Sequence, residues 1–215
     1  MKIAVITGGS KGIGYAIAQR LKNDFKVINL SRTIIKDIET IQTDVTSYEQ
    51  IEQAFSQIVD KYGAPYLLIN CAGYVEPKGL LEISPKEWHQ TVNVNFGGTF
   101  FCTQEFVKYA KNTGGKIINI ASTAGARPQP GWSVYAASKA AVINFSLTMS
   151  EELKPYNILV YCVSPGRCAT ELRKKLAPDE DQTTIMQPEE VAEFVYYLSL
   201  YGELIDGQNI RVREA

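Results

Sequence analysis

The 215-residue chain is long enough to bury one sizeable hydrophobic core and short for two. Hydrophobic residues make up 45% of the chain and charged residues 21%, which is typical of a globular protein and excludes an intrinsically disordered one. The net charge is −1 with both signs scattered, which argues against nucleic acid or an anionic membrane surface as a partner. We therefore expect a single domain over residues 1–215.

The cysteines and the one histidine narrow the chemistry further. Four widely spaced cysteines form no C-x-x-C pair, which argues against a zinc ribbon or a disulfide-stapled secreted domain; they are Cys71, Cys102, Cys162 and Cys168. With His89 as the single histidine, a metal site built from several histidines is excluded. The first residues leave no room for a signal peptide, and no apolar run is long enough to span a bilayer. We predict a cytoplasmic protein without a metal or membrane partner.

Short apolar runs alternate with longer stretches of helical periodicity, which is the pattern of β-α-β units around a parallel sheet. The predicted strands are Ile3–Ile6, Val27–Leu30, Ile38–Gln42, Tyr66–Asn70, Lys116–Ala121, Ile158–Val163 and Gln208–Val212. Several are almost continuously apolar, as expected for strands covered on both faces. The stretch 32–38 is too short for a crossover helix, so we predict an irregular connection there. The fold class is α/β, with a doubly wound, seven-stranded parallel sheet flanked by helices.

Local signals mark where several helices begin. Thr46 and Ser84 each stand three residues before a glutamate, which is the spacing of a capping box. Pro85 and Pro188 suit the first position of a helix. The predicted helices lie near residues 15–22, 47–62, 85–111, 135–153 and 188–200.

A glycine-rich turn joins the first strand to the first helix. It consists of Thr7-Gly8-Gly9-Ser10-Lys11-Gly12-Ile13-Gly14. A helix N-terminus offers free N–H groups and the positive end of the helix dipole, both of which suit a pyrophosphate. Gly8, Gly12 and Gly14 would allow the tight turn, close approach to the ligand and close packing of helix on strand. We predict a dinucleotide site here, with a purely structural turn as the alternative.

The same turn also fits the G-x-S-x-G pattern of a hydrolase nucleophile elbow, with Ser10 as the nucleophile. That elbow follows several strands, which build the sheet and the oxyanion hole around it. Ser10 instead follows the first strand of the chain. This position argues against a hydrolase.

Further motifs follow in order along the chain. They are Asn70-Cys71-Ala72-Gly73, Asn95, Ser122, Tyr135-x-x-x-Lys139 and Pro165-Gly166. Together with the T-G-x-x-x-G-x-G turn, this ordered set resembles the short-chain dehydrogenase/reductase family, and the resemblance runs from the first strand to the last. It implies a single-domain Rossmann fold and an oxidoreductase that interconverts a ketone or aldehyde and an alcohol by hydride transfer.

Tyr135 and Lys139 are spaced to share one face of a helix, so the ammonium can lie near the phenol and favour phenolate. A free tyrosine has a pKa of about 10 and is a poor base at neutral pH. The resemblance implies that Tyr135 is the general acid/base and that Ser122 hydrogen-bonds the substrate oxygen. It also implies that Asn95 holds a water linking Lys139 to solvent. Each residue also has a purely structural alternative. Ser122 could be a hydroxyl that bonds the turn after its strand, Tyr135 and Lys139 a pair on a helix surface, and Asn95 a buried amide that bonds the backbone.

The second strand ends in Asn29-Leu30-Ser31-Arg32, which lacks the acidic residue that would hold an unmodified ribose. Arg32 and Lys11 could bind a 2′-phosphate, so we predict NADP(H) in preference to NAD(H); two solvated surface cations are the alternative. The other implied cofactor contacts are Gly8, Ser10, Gly12, Ile13 and Gly14 in the turn, Ser31, Asp44 and Val45 around the adenosine, Asn70, Ala72 and Gly73 after the fourth strand, and Pro165, Gly166, Cys168 and Thr170 beside the nicotinamide, with Tyr135 and Lys139.

The chain also departs from the family pattern. Cys71 replaces a common second asparagine and Cys168 a common aliphatic residue. The 32–38 connection and the Arg213-Glu214-Ala215 ending are shorter than the corresponding segments of the family pattern. These departures affect the expected shape of the adenine pocket and the oligomer contacts more than the chemistry.

Cations gather in two segments that flank the predicted reactive centre. They are Arg127, Arg167, Arg173, Lys174 and Lys175. Guanidinium groups bind phosphate and carboxylate bidentately, which favours an anionic substrate. Solvated loop charges, partly balanced by the acidic residues at 179–181, are the alternative. The segment up to Met186 is short, which suits a small or partly exposed substrate.

The helices near 85–111 and 135–153 carry more apolar residues than one sheet face needs. These include Phe96, Phe100, Phe101, Val142, Phe145 and Met149. The resemblance implies that such helices pair across a two-fold axis, giving a homodimer or homotetramer. Ordinary core burial is the alternative for each residue.

Two other functions fit parts of the pattern. A catalytically silent dinucleotide-binding sensor could use the same fold, because a fold does not dictate a function. A sugar-nucleotide epimerase of the related extended family needs a longer chain for its substrate domain. The intact Ser122, Tyr135 and Lys139 favour the enzyme.

Overall fold

A seven-stranded parallel sheet runs through the centre of the computed structural model, which describes residues 1–212. The Arg213-Glu214-Ala215 ending lies outside the described residues. The strands are Lys2–Thr7 (β1), Phe25–Ser31 (β2), Glu39–Gln42 (β3), Leu67–Asn70 (β4), Gly115–Ile120 (β5), Ile158–Pro165 (β6) and Asn209–Val212 (β7). Their order is β3-β2-β1-β4-β5-β6-β7, so the winding direction reverses between β1 and β4. The predicted α/β fold is confirmed.

Helices connect successive strands, except β2 and β3. They are Gly12–Leu21 (α1), Tyr48–Tyr62 (α2), Pro85–Val92 (α3), Gly98–Ala110 (α4), Ser133–Glu152 (α5), Glu171–Leu176 (α6) and Pro188–Tyr201 (α7). A π-helical segment, Asn93–Gly97, joins α3 to α4 within the single helix predicted for 85–111. No helix forms between β2 and β3 in this part of the structure, which confirms the predicted irregular connection.

The two faces of the sheet bury separate sets of apolar residues. Ala4 and Ile6 of β1 point toward α1 and α7, whereas Ile3 and Val5 point toward the face covered by α2 and α4. This alternation follows from the period of two along a strand. Because both faces are covered, several central strands are almost continuously apolar, as the sequence indicated.

The helix-start signals were right in all but one case. Ser84 and Glu87 form the predicted capping box, and Pro85 and Pro188 begin their helices. Thr46 was wrong as an N-cap, because α2 is capped by Ser47, one residue later. The Thr46 hydroxyl instead donates to Asp44 Oδ1 at 2.8 Å. Among the described helices, none is both long and apolar enough to cross a membrane.

Candidate active site

A cleft of about 620 Å³ opens where the strands end at their carboxyl termini. Its walls come from the segments that follow β1, β2, β3, β4, β5 and β6. The reversal of winding between β1 and β4 separates the connections that leave these two strands, and ligands bind at this point in open α/β sheets. The topology therefore places a ligand site against the glycine-rich turn.

The glycine-rich turn needs its glycines for steric reasons. Gly8 and Gly12 have positive φ angles of 70° and 56°. A Cβ on Gly8 would lie 2.7 Å from Ala72 Cα, and one on Gly14 would lie 2.4 Å from the Gly8 carbonyl oxygen. No described side chain caps α1 at Lys11, so the first amides of this helix are left to a ligand. The turn fits a pyrophosphate.

Two buried polar side chains hold this turn in place. Asn29 Oδ1 accepts from the Gly9 amide at 2.8 Å, and Asn29 Nδ2 donates to Ser31 Oγ at 2.9 Å. Thr7 Oγ1 accepts from the Ala72 amide at 3.2 Å, which joins β1 to the segment after β4. Neither role was predicted from the sequence. The available signal was a polar residue within an otherwise apolar strand.

The outer end of the cleft carries the predicted adenosine contacts. Ser31, Asp44 and Val45 line it, and the exposed side chains of Lys11 and Arg32 stand at its mouth. No carboxylate occupies the end of β2, whose last residues are Asn29-Leu30-Ser31. Lys11 and Arg32 bring two positive charges to this lining, and Asp44 brings one negative charge.

Ser122, Tyr135 and Lys139 meet at the inner end of the cleft. Ser122 follows β5, and the other two residues lie on successive turns of α5. The Ser122 hydroxyl lies beside the Tyr135 phenol and acts to lower the pKa of that phenol. Lys139 Nζ donates to the Ile120 carbonyl oxygen at 2.8 Å. The predicted serine, tyrosine and lysine are therefore brought together.

Burial is the largest influence on the pKa values of Lys139 and Tyr135. It lowers the pKa of Lys139 to about 8, because a buried ammonium loses its hydration. It also raises the pKa of Tyr135, against the opposing effect of the Ser122 hydroxyl. Tyr135 is thus a neutral phenol near neutral pH. The predicted lowering of the Tyr135 pKa by Lys139 stays a prediction.

Asn95 is fully buried and does not line the cleft. It lies in the π-helical segment, and its Oδ1 accepts from the Tyr74 amide at 2.8 Å. Its Nδ2 donates to Ser138 Oγ at 2.9 Å, and the Ser138 hydroxyl donates to the Tyr135 carbonyl at 2.7 Å. Asn95 therefore positions the first turns of α5 against the segment after β4. The proton relay through water stays a prediction.

All of the predicted cofactor contacts line the cleft except Asn70. The Asn70 side chain is buried below the cleft, where Nδ2 donates to Thr103 Oγ1 at 3.2 Å and to Asn119 Oδ1 at 2.9 Å. Its side chain belongs to the packing of β4 against β5 and α4. The lining residues that the sequence analysis missed include Gln129, Trp132, Leu172 and Leu176.

The cations near the reactive end are largely paired with carboxylates. Arg173 binds Glu180 through Nε at 2.5 Å and Nη2 at 2.7 Å, and Arg167 Nη1 reaches the same carboxylate at 3.2 Å. The Arg173 guanidinium holds the pKa of Glu180 below its ordinary value. Lys175 pairs with Glu76 at 2.6 Å. These pairs reduce the positive charge that the sequence predicted around a substrate.

The sequence matches the family model described as short chain dehydrogenase over residues 2–181. Among curated relatives, the 3-oxoacyl-[acyl-carrier-protein] reductase FabG of Thermotoga maritima is 32% identical, with 92% of this chain and 90% of the relative covered. The short-chain reductase protein NovJ of Streptomyces niveus is also 32% identical, with 92% of this chain and 86% of the relative covered.

Solved structures agree with this match. The 4-hydroxyisoleucine dehydrogenase complexed with NADH superposes with a TM-score of 0.88 at 30% identity, covering 99% of this chain and 96% of that one. A variant actinorhodin polyketide ketoreductase with NADPH gives a TM-score of 0.91 at 27% identity, covering 98% and 95%. The two neighbours are described with different nicotinamide dinucleotides, so the choice between them depends on local residues.

Proposed function

Because the chain belongs to the short-chain dehydrogenase family, we propose that it is an NADP(H)-dependent oxidoreductase that interconverts a ketone or aldehyde and an alcohol. The observation that carries the proposal is that Ser122, Tyr135 and Lys139 line the same cleft as the glycine-rich turn. We also propose that residues 1–215 act as one domain.

The protonation of the site suits the reduction of a carbonyl group. A nicotinamide dinucleotide supplies or accepts the hydride when bound. Tyr135, whose pKa is raised by burial, holds a proton that its phenol can give to the substrate oxygen. The Ser122 hydroxyl is close enough to the phenol to bind the same oxygen. Lys139, with a pKa of about 8, can replace the proton near neutral pH.

A panel of ketones and aldehydes tests this function. NADPH consumption by the purified protein should begin when a suitable carbonyl compound is added, and NADP⁺ reduction should begin when the corresponding alcohol is added. A protein that binds NADPH but turns over no member of the panel in either direction would contradict the proposal. That result would support the catalytically silent sensor instead.

The preference for NADP(H) is proposed on the basis of Lys11 and Arg32 at the mouth of the cleft. A charge-assisted hydrogen bond contributes about 1.5–3 kcal/mol, so Arg32→Ala should lower kcat/KM for NADPH by about 10- to 100-fold and leave NADH almost unchanged. Lys36→Ala is the matched control, because Lys36 is an exposed cation in the same connection. Equal or better kcat/KM for NADH in the wild type would refute the assignment.

An anionic substrate is a further proposal, and it is based on Arg127 and Arg167, which both line the cleft. Arg167 also reaches the Glu180 carboxylate, which it shares with Arg173. Matched neutral and anionic carbonyl compounds should differ in kcat/KM, and Arg127→Ala and Arg167→Ala should each reduce the difference. No preference for the anion in the wild type would remove this proposal.

We propose a homodimer or homotetramer formed through α4 and α5. The rings of Phe96, Phe100 and Phe145 pack within 6.4 Å of one another, and Phe100 and Phe101 remain partly exposed. Val142, which was predicted to belong to this surface, is buried in the core.

A cytoplasmic location also stays a prediction. All four cysteines are free thiols.

A further inference from the structure

An apolar cluster surrounds the phenol of Tyr135 at the inner end of the cleft. Val75, Ala124 and Tyr135 are its buried members, and three partly buried side chains pack against them: Trp132, Leu172 and Leu176. All of these except Val75 line the cleft. The side chain of the proposed proton donor is therefore part of an apolar wall of the cleft.

This apolar cluster is assembled from separate elements. Ala124 follows β5, Trp132 immediately precedes α5, and Leu172 and Leu176 stand at i and i+4 on one face of α6. The Trp132 and Tyr135 rings contact edge to face, with their centroids 6.3 Å apart. A substrate carbonyl held by the phenol would have the indole beside it.

The short helix α6 is fastened in place over this cluster. The Thr170 hydroxyl caps its first turn by accepting from the Arg173 amide at 3.1 Å. At its other end, Lys175 pairs with Glu76 at 2.6 Å, in the segment after β4. The two leucines are thus presented to the cleft by an anchored helix, so the apolar wall exists before a substrate binds.

The charge nearest the wall is already compensated. The Arg173 guanidinium lies 5.9 Å from the centroid of the Trp132 ring, and its two bonds to Glu180 neutralise it. Both side chains are mostly buried. An anion at this position would have to displace Glu180. The wall formed by Trp132, Leu172 and Leu176 therefore favours an apolar group on the part of the substrate that contacts it.

We propose that the reacting carbonyl carries an alkyl or aryl substituent that packs against Trp132, Leu172 and Leu176, and that Trp132 is the main specificity-determining residue. The inference rests on the proposed function and names its substrate class. Burial of one methylene group is worth about 0.8 kcal/mol, which corresponds to about a fourfold gain in affinity or kcat/KM for each methylene added to the substituent until the wall is covered.

A fluorescence titration tests this without relying on turnover. The chain has two tryptophans, Trp88 and Trp132. Trp88 is 46% exposed on α3 and faces a different groove, so Trp88→Phe leaves Trp132 as the reporter and Trp132→Phe leaves Trp88 as the control. Each variant, saturated with NADP⁺, is titrated with methyl ketones of increasing alkyl length and with hydroxylated ketones of matched size.

The Trp132 emission should change on titration, and its dissociation constants should fall about fourfold for each methylene group. The Trp88 emission should stay constant. The inference is overturned if affinity does not depend on alkyl length, if hydroxylated ketones bind equally well, or if Trp88 responds and Trp132 does not.

Steady-state turnover provides a second test of the inference. In the wild type, kcat/KM should favour the alkyl ketone over its hydroxylated match, and Leu172→Ala or Leu176→Ala should reduce this ratio several-fold without changing the KM for NADPH. Leu81→Ala is the control, because Leu81 is 98% exposed and does not line the cleft. Unchanged ratios in both α6 variants would overturn the inference. A Trp132 response without turnover of any ketone would support this inference and contradict the proposed function.

Discussion

Lys139→Met is expected to make the protein more stable near neutral pH and catalytically inactive. Burial lowers the pKa of Lys139 from 10.5 to about 8, so keeping it protonated in the fold costs about 3 kcal/mol. Methionine removes this cost but also the hydrogen bond to the Ile120 carbonyl, which is worth about 1 kcal/mol. A net gain of about 2 kcal/mol corresponds to a Tm increase of about 4–8 °C for a chain of this size.

The stability difference should depend on pH in a defined direction. Below pH 8 Lys139 is protonated in both the folded and the unfolded chain, so the advantage of the variant is complete. Between pH 8 and 10.5 the folded wild type loses this proton while the unfolded chain keeps it. The free energy of unfolding of the wild type therefore rises across this window, by about 1.4 kcal/mol per pH unit, and the advantage of the variant disappears.

Urea denaturation of both proteins at about pH 7 and about pH 10 measures the difference. Lys111→Met is the matched control, because Lys111 is exposed at the end of α4 and its replacement should change the stability little at either pH. The reasoning is refuted if the gap between Lys139→Met and wild type is the same at both pH values. A destabilised variant at about pH 7 would refute it as well.

Three further substitutions test other contacts described above. Gly14→Ala places a Cβ 2.4 Å from the Gly8 carbonyl oxygen, so it should destabilise the fold by about 1–3 kcal/mol and weaken dinucleotide binding, as measured by calorimetry and titration. Light scattering of the wild type should show a dimer or tetramer, and Phe100→Glu should shift it toward monomer; monomer alone in the wild type would oppose the assembly. Glu180→Gln should free the Arg173 guanidinium and raise kcat/KM for anionic over neutral ketones, and an unchanged ratio would count against the pairing described above.

The sheet could be predicted from the sequence because its central strands are buried on both faces and are therefore mostly apolar; their buried polar residues, such as Asn29 and Asn119, are few. The short connection after Arg32 was also readable, since a crossover helix needs more residues than this stretch contains. The helix α6 was missed because it has only six residues, four of them charged. The π-helical segment at Asn93–Gly97 interrupts no apolar pattern, so the sequence carried no signal for it.

The candidate site also has features that the sequence predicted and features that depend on tertiary contacts. The glycine-rich turn is local in sequence, so its spacing between a strand and a helix was enough to predict it. The Tyr135–Lys139 pair was predicted from the ordered set of motifs, because its spacing alone is common. The role proposed for Trp132 and Leu172 depends on bringing α6 against the start of α5, which is a tertiary contact that spacing along the chain does not reveal. The pairing of Glu180 with two arginines is likewise a matter of geometry, because the sequence shows only that opposite charges are near one another.

The measurement that tests the central claim most directly is Tyr135→Phe, assayed for both dinucleotide binding and turnover. The substitution removes only the phenolic oxygen, so NADPH should bind with unchanged affinity while kcat falls by at least about 10²-fold. Tyr201→Phe is the control, because Tyr201 is exposed on α7 and should retain full activity. A Tyr135→Phe protein that binds NADPH normally and turns over at the wild-type rate would contradict the assignment of Tyr135 as the proton donor.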